Sequence, residues 1–204
     1  GTFLFLRRRL GRADAATFGA LTFTFCAFNL LHFIHPNAIA VVAHIPWLLW
    51  TIDVLSSHAA RRRVAWLATA LLTGSQLLLG YPQYVWFSLL AEGAYAVFMM
   101  TRHRRTLAFL AGLASAKVVG VLIAAIQLLP TIDALMHSAR RTVGPDFANW
   151  GSLHPLNLVQ WIAPYLYAWR AVGRNTHELS CYLGSVPLVL LVWLFLRRRH
   201  LGRW

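Results

Sequence analysis

Long apolar runs separated by clusters of arginine constrain this chain more than any other feature. Five runs approach the roughly 20 helical residues that cross the hydrocarbon core of a bilayer, and a sixth is shorter. The five are 15–34, 38–56, 64–80, 84–100 and 106–129, and the shorter one is 182–196. None alternates polar and apolar residues, which favours helices over strands. The sequence therefore predicts an all-α, polytopic transmembrane helical bundle with about six spanning helices, as a single membrane domain over 1–204.

The placement of the arginines decides what the net charge of +13 means. A strongly basic surface is the usual mark of a nucleic-acid-binding protein. Here the arginines cluster at the ends of the apolar runs, where they anchor helices at the membrane interface. Because 58% of the residues are hydrophobic and only 12% are charged, a soluble domain would leave much apolar surface uncovered. We expect the lipid bilayer to be a partner and nucleic acid not to be one.

The distribution of basic residues predicts the orientation. If the chain starts in the cytoplasm at Arg7 and changes sides at each run, fourteen of its nineteen Lys and Arg residues are cytoplasmic. The short outer turns 35–37 and 81–83 carry no Lys or Arg. This pattern follows the positive-inside rule and predicts a cytoplasmic-membrane protein with cytoplasmic arginine-rich loops. The apolar residues 2–6 are expected to be the end of an earlier spanning helix, so the chain is interpreted as a fragment.

The segment 130–180 is predicted to be an extracytoplasmic cap. It contains four prolines and three tryptophans, and its aromatic residues suit the headgroup zone. Short helices are expected at 131–139 and 155–167, lying on the membrane surface. The fifth run carries a different pattern, a ridge of small residues spaced four apart that favours close helix packing. The ridge consists of Ala108, Gly112, Ala116, Gly120 and Ala124.

Glu92 and Lys117 are the charged residues expected near the middle of the bilayer. They lie 11 and 14 residues from His103 on the two helices that flank it, so their depths differ by only about 4–5 Å. Because an isolated charge at this depth costs about 2.5–3.5 kcal/mol, we expect an ion pair inside the bundle. The pair has two possible roles, fixing helix register or taking part in transport or catalysis. Asp53 is expected to reach the interface or a nearby arginine.

The predicted outer face collects the other candidate binding residues. They are His35, His137, Arg140, Arg141, His154 and Glu178. Arginine beside histidine suits a phosphate group, which a guanidinium binds through two hydrogen bonds. The alternative is an exposed loop that simply contains polar residues. The sequence shows no metal-ligand spacing, so no metal site is predicted, and the residues alone specify neither a reaction nor a cofactor.

An ordered set of short motifs carries a family resemblance. The set is His35-Pro36-Asn37, Pro46-Trp47, Gly80-Tyr81-Pro82-Gln83, Gln127-Leu128-Leu129-Pro130 with Ser138 and Arg140, Pro155 with Pro164-Tyr165, and Glu178 with Tyr182, Gly184, Pro187 and Leu188. Together these motifs resemble the YfhO-type bacterial integral membrane proteins, which are similar to the GT-C glycosyltransferase superfamily. The resemblance extends from about Arg7 to Leu196.

The resemblance implies transfer of a sugar from a polyprenyl-phosphate carrier on the outer side of the membrane. It places the catalytic acidic residue on an outer loop ahead of Gly1, so no catalytic residue is assigned within this chain. His137, Arg140 and Arg141 are then expected to contact the lipid-linked phosphate, with Glu178 and His35 nearby.

Three functional hypotheses follow from the sequence. The first is part of a GT-C-like glycosyltransferase in cell-envelope glycan or lipid glycosylation. The second is a membrane transporter or flippase that uses Glu92 and Lys117 as a gating or proton-linked pair. The third is a non-catalytic membrane scaffold that uses the small-residue ridge as an assembly face.

Overall fold

The computed structural model describes residues 1–57, 59–103, 107–138, 144, 152–163, 172, 179 and 181–197. Throughout these ranges the regular structure is helical, and the predicted all-α class is confirmed. The α-helices are α1 (Thr2–Leu10), α2 (Ala13–Thr24), α3 (Ala27–Leu31), α4 (Pro36–Ser57), α5 (Arg62–Leu78), α6 (Pro82–His103), α7 (Leu107–Met136) and α8 (Ser185–Leu196). Short 3-10 helices cover His32–Ile34, Ala59–Arg61 and Pro155–Trp161.

Four helical segments are long and apolar enough to cross a membrane, as expected of a multi-pass integral membrane protein. They are Ala13–Ile34, Pro36–Ser57, Pro82–Thr101 and Leu107–Met136. By contrast, α5 has 17 residues and α8 has 12, or about 25 Å and 18 Å at 1.5 Å per residue. Both are shorter than a hydrocarbon core of about 30 Å. The predicted count of about six spanning helices is therefore not confirmed.

The chain forms two compact units. Unit 1 comprises Gly1–Ala16 and His35–Thr142, and unit 2 comprises Thr17–Ile34 and Val143–Trp204. In unit 1, α4 packs against α1, α5 and α6, whereas α7 packs mainly against α5. A cluster that includes Ile52, Leu55, Met99 and Phe109 fills the core where α4 and α6 end and where α7 begins.

The alternating helix directions give unit 1 two different ends. The arginine end carries residues 7–9 at the end of α1 and residues 61–63 at the start of α5. Helix α1 ends there at Gly11, whose φ of 71° is left-handed and whose N–H donates to the Arg7 carbonyl. The opposite end, called the motif end below, carries His35 before α4 and residues 80–83, which lead into the first turn of α6. Within unit 1 the arginine clusters 7–9 and 61–63 are thus separated from the turns that the sequence predicts to be outside.

Helix α7 is longer than predicted, because it continues through Pro130 for 30 residues. The sequence predicts a helix over 106–129 and a separate one over 131–139. Proline removes one backbone donor, but membrane helices tolerate it when nearby hydroxyls and backbone adjustments compensate. Here the Thr131 hydroxyl donates to the Gln127 carbonyl at 2.7 Å, next to the Ile126 carbonyl that Pro130 leaves without its helical donor. One continuous helix therefore replaces the two that were expected.

Unit 2 shows the opposite deviation, because the predicted helix over 15–34 is interrupted. Cys26 is extended between α2 and α3, with ψ of 155°. The Ala27 N–H donates to the Tyr182 carbonyl at 2.9 Å, and the Asn29 side chain donates to the Phe23 carbonyl at 2.6 Å. These bonds satisfy backbone groups that the break exposes, which is the condition for non-helical backbone at membrane depth.

The predicted cap is only partly described by the structure. A 3-10 helix over Pro155–Trp161 occupies the start of the expected helix 155–167, and residues 164–167 lie outside the described ranges. Asn157 is fully buried and anchors this segment, since its side chain bonds both the N–H of Val172, at 2.7 Å, and the carbonyl of Val172, at 2.9 Å. Placement of the segment on a membrane surface stays a prediction.

Candidate functional site

The structure brings Glu92 of α6 and Lys117 of α7 together within unit 1. The Lys117 ammonium contacts the Oε2 atom of Glu92. The side chain of Glu92 is 3% exposed and that of Lys117 is 17% exposed, so the pair is largely withdrawn from the surface. Since α6 packs mainly on α4 and α7 mainly on α5, the two long side chains bridge helices with little direct contact. The contact agrees with the similar depths that the sequence predicts for Glu92 and Lys117.

Two hydroxyl groups complete the surroundings of this pair. Ser88 donates to Oε1 of Glu92 at 2.9 Å, and Lys117 donates to Oγ1 of Thr73 at 2.9 Å. The four side chains, here called the polar cluster, come from α5, α6 and α7. Oε1 of Glu92 therefore accepts a hydrogen bond, whereas Oε2 is neutralised by its ion-pair contact with Lys117. Ser88 was recognisable one helical turn before Glu92, whereas no local signal linked Thr73 to Lys117.

Helix α5 extends this polar region along one of its faces. Thr69, Thr73 and Gln76 follow the spacing i, i+4, i+7, and all three are at most 3% exposed. Thr69 donates to Oγ1 of Thr51 at 3.0 Å, and the Gln76 amide donates to the Val41 carbonyl at 3.0 Å. The Oε1 atom of Gln76 is buried without a hydrogen-bond donor among the described residues. The interior of unit 1 thus contains a line of polar side chains between apolar helices.

Asp53 forms a second buried ionic network at the arginine end. Its carboxylate contacts the guanidinium of Arg8, and its Oδ1 atom lies 3.2 Å from Nη1 of Arg9. The Tyr95 hydroxyl donates to the same Oδ1 atom at 2.8 Å. The network ties α1, α4 and α6 together. Because it uses both carboxylate oxygens for pairing, it acts as a structural link.

The small-residue ridge of α7 is used within unit 1. A Cβ atom at Gly120 would lie 2.6 Å from the Cβ of Thr73 and 2.8 Å from the Ala70 carbonyl oxygen. Ala116 and Ala124 are fully buried on the same face. At Gly112, however, an added Cβ would meet nothing within 4 Å. The ridge therefore contacts α5 closely around Gly120 and faces open space around Gly112.

The predicted outer-face residues are only partly placed. His35 is partly buried directly before α4, and His137 is exposed after α7 with its Nδ1 atom 2.9 Å from the Asp133 carbonyl oxygen. In unit 2, His154 caps the 3-10 helix by accepting a bond from the Leu156 N–H at 3.3 Å. Arg140, Arg141 and Glu178 lie outside the described residues. The structure shows no common site for these six residues in its described part, and their binding role stays a prediction.

Two segments of the motif set meet at the motif end of unit 1. Gly80 adopts a left-handed φ of 72°, which residues with a side chain rarely adopt, and it leads directly into α6. The Nε2 atom of Gln127 lies 3.3 Å from the position that a Cβ at Gly80 would occupy. Nearby, the rings of Tyr81 and Tyr84 stack with their centroids 4.7 Å apart. The 80–83 and 127–130 motifs are therefore neighbours in space.

Within the part of the chain that the structure describes, no three His, Cys, Asp or Glu side chains are grouped so that they could hold a metal ion. Comparison with protein families, curated proteins and solved structures finds no match to this chain. The features that bear on the function of this chain are therefore the polar cluster, the two ends of unit 1 and the motif resemblance.

Proposed function

We propose that the chain is part of a multi-pass membrane glycosyltransferase of the GT-C-like kind. In this proposal it transfers a sugar from a polyprenyl-phosphate carrier during cell-envelope glycan or lipid glycosylation. The observation that supports the proposal is the separation of the two ends of unit 1. Residues of three motifs, His35, Gly80 and Gln127, lie towards one end, whereas the arginine clusters 7–9 and 61–63 lie at the other. The motif end would face the carrier headgroup and the arginine end would face the cytoplasm.

Charge assigns roles to the residues beyond α7. Cleavage of a sugar–phosphate bond leaves negative charge on the departing phosphate, and preorganised cations stabilise that charge. His137 directly follows α7, and Arg140 and Arg141 come shortly after it in the sequence. In the proposal these three side chains hold the carrier phosphate. In the proposal no described residue is assigned as the base that activates the acceptor.

The test uses the full-length protein in liposomes with polyprenyl-phosphate sugars. Sugar transfer is the readout, and the Arg140→Gln/Arg141→Gln variant is expected to lower it by about 10²–10³-fold, the typical effect of removing charge stabilisation. Arg61→Gln is the control, because it removes one guanidinium charge at the arginine end. Undiminished transfer by the double variant would exclude the phosphate site, and absence of transfer with every donor would count against an enzyme.

The polar cluster favours a second candidate, a proton-linked carrier. Charged side chains inside membrane helices commonly mark ion or substrate pathways, and Glu92 with Lys117 is such a pair. Interrupted helices, like the α2–α3 break, also occur in transporters. Proton flux into liposomes containing a trapped pH-sensitive dye distinguishes the candidates. A carrier would give flux that Glu92→Gln abolishes, whereas flux equal to that of empty liposomes would exclude this candidate.

A further inference from the structure

An apolar cavity with a cationic rim lies at the arginine end of unit 1. Its volume is about 500 Å³, within the range of small-molecule sites. Its walls come from α4, α5 and α7. The residues that carry the argument are Leu55, Arg62, Arg63, Trp66, Phe109 and Gly112.

The two arginines of the rim are available for an anion. Arg62 and Arg63 are exposed in the first turn of α5, and within the described ranges neither has a carboxylate partner. Arg8 and Arg9, at the same end, are already paired with Asp53. Neighbouring guanidinium groups bind phosphate oxygens through directed hydrogen bonds. The rim therefore offers a phosphate-binding edge that no carboxylate of the described ranges neutralises.

The interior of the cavity suits a hydrocarbon chain. Trp66 forms part of the wall, and its indole N–H donates to Oγ of Ser115 at 2.9 Å, which fixes the ring between α5 and α7. Leu67 also lines the cavity and is 51% exposed, so the cavity continues into the apolar outer surface of the helices. From Arg62 to Leu67 the helix rises about 7.5 Å. The cationic rim and the apolar wall are thus arranged along the direction in which a lipid lies.

We propose that this cavity binds an anionic phospholipid of the leaflet at the arginine end. The headgroup phosphate bonds Arg62 and Arg63, and the first part of one acyl chain lies against Trp66, Phe109 and the open side of Gly112. Basic pockets between membrane helices bind acidic headgroups by the same combination of forces. The site is independent of the sugar-transfer proposal, because it lies at the end of unit 1 opposite the motif residues.

The decisive measurement is lipid binding to the purified full chain in detergent micelles, detected by native mass spectrometry. Dioleoylphosphatidylglycerol is compared with dioleoylphosphatidylcholine, which has the same acyl chains and no net charge. The wild-type chain is expected to prefer the anionic lipid. Each arginine near an acidic headgroup contributes about fivefold, so Arg62→Gln/Arg63→Gln should weaken binding roughly 25-fold.

Two further variants separate charge from shape. Arg61→Gln removes the same charge from a neighbouring residue that lines a different cavity, of about 300 Å³, and should change binding by less than about twofold. Gly112→Leu keeps every charge but fills the cavity, since an added Cβ meets nothing within 4 Å. This variant should weaken binding at least tenfold, and it tests the site even if the double arginine variant fails to fold.

Several results would overturn the proposal. These are equal binding of the two lipids, wild-type binding by the double arginine variant, or wild-type binding by Gly112→Leu. Inorganic phosphate in millimolar excess forms a separate arm of the experiment. Failure of phosphate to displace the lipid supports a site that requires the acyl chain, whereas displacement assigns the arginines to free phosphate and removes the lipid.

Discussion

Replacing Gly120 by alanine would test the close approach of α7 to α5. The added methyl group would lie 2.6 Å from the Cβ of Thr73 and 2.8 Å from the carbonyl oxygen of Ala70. Both distances are far below van der Waals contact, and the second involves a backbone atom that no rotamer change can move. The substitution must therefore shift one helix relative to the other. It should also disturb Thr73, which accepts a hydrogen bond from Lys117.

The magnitude follows from two opposing effects. Inserting a methylene-sized group into a well-packed contact costs about 1–3 kcal/mol. Alanine also stabilises a helix by about 0.5–1 kcal/mol relative to glycine. Gly112→Ala on the same helix is the matched control, since its methyl group would meet nothing within 4 Å. Subtracting the two variants cancels the helix effect and leaves an expected difference of about 1–3 kcal/mol in the free energy of unfolding.

The assay is unfolding of the full chain in mixed micelles with increasing dodecyl sulfate, followed by circular dichroism. Gly120→Ala should unfold at a lower dodecyl sulfate fraction than Gly112→Ala, and Gly112→Ala should match or exceed the wild type. Equal unfolding free energies for the two variants would refute the inference that α7 and α5 are in direct backbone contact at Gly120.

Three further predictions concern single residues of unit 1. Asp53→Asn should lower the unfolding free energy by about 1–2 kcal/mol, since its two partner arginines are a quarter exposed and water screens part of the loss. Glu92→Gln should cost about 3–5 kcal/mol by leaving the Lys117 charge unpaired, and adding Lys117→Met should recover part of this loss. Pro130→Ala should stabilise the chain by up to about 3 kcal/mol, because Pro130 lies inside a continuous helix.

Each of these predictions has a contradicting outcome in the same unfolding assay. Asp14→Asn is the control for Asp53, since Asp14 pairs with Arg12 at the surface and its loss should leave stability unchanged. Equal effects at the two aspartates would contradict the buried network. Additive losses at Glu92 and Lys117 would contradict their direct contact, and destabilisation by Pro130→Ala would indicate that the helix ends at that proline.

The sequence was most informative where a single physical rule applies. Run length and composition are sufficient to predict helices, because a bilayer leaves few other ways to satisfy the backbone. The depths of Glu92 and Lys117 needed only the rise per residue, and the structure places their side chains in contact. Asp53 was expected to reach the interface or a nearby arginine, and it contacts two arginines. These features follow from local geometry and charge.

The features that the sequence did not reveal depend on distant partners. The break between α2 and α3 occurs in an apolar stretch without proline, and it is stabilised by the Tyr182 carbonyl far along the chain. Thr73 reaches Lys117 only because α5 lies beside α7. Neither the residues around the α2–α3 break nor those around Thr73 contain a pattern that predicts these contacts.

The length of α7 separates Gln127 from His137 along the axis of the helix. Its 30 residues measure about 45 Å, against a hydrocarbon core of about 30 Å. If Leu107 lies at one boundary of the hydrocarbon core, the other boundary falls near Gln127. The remaining turns of α7 then extend beyond that boundary. His137 then stands about 15 Å above Gln127. In the sugar-transfer proposal, a carrier molecule that contacted both side chains would therefore have to be elongated along this helix.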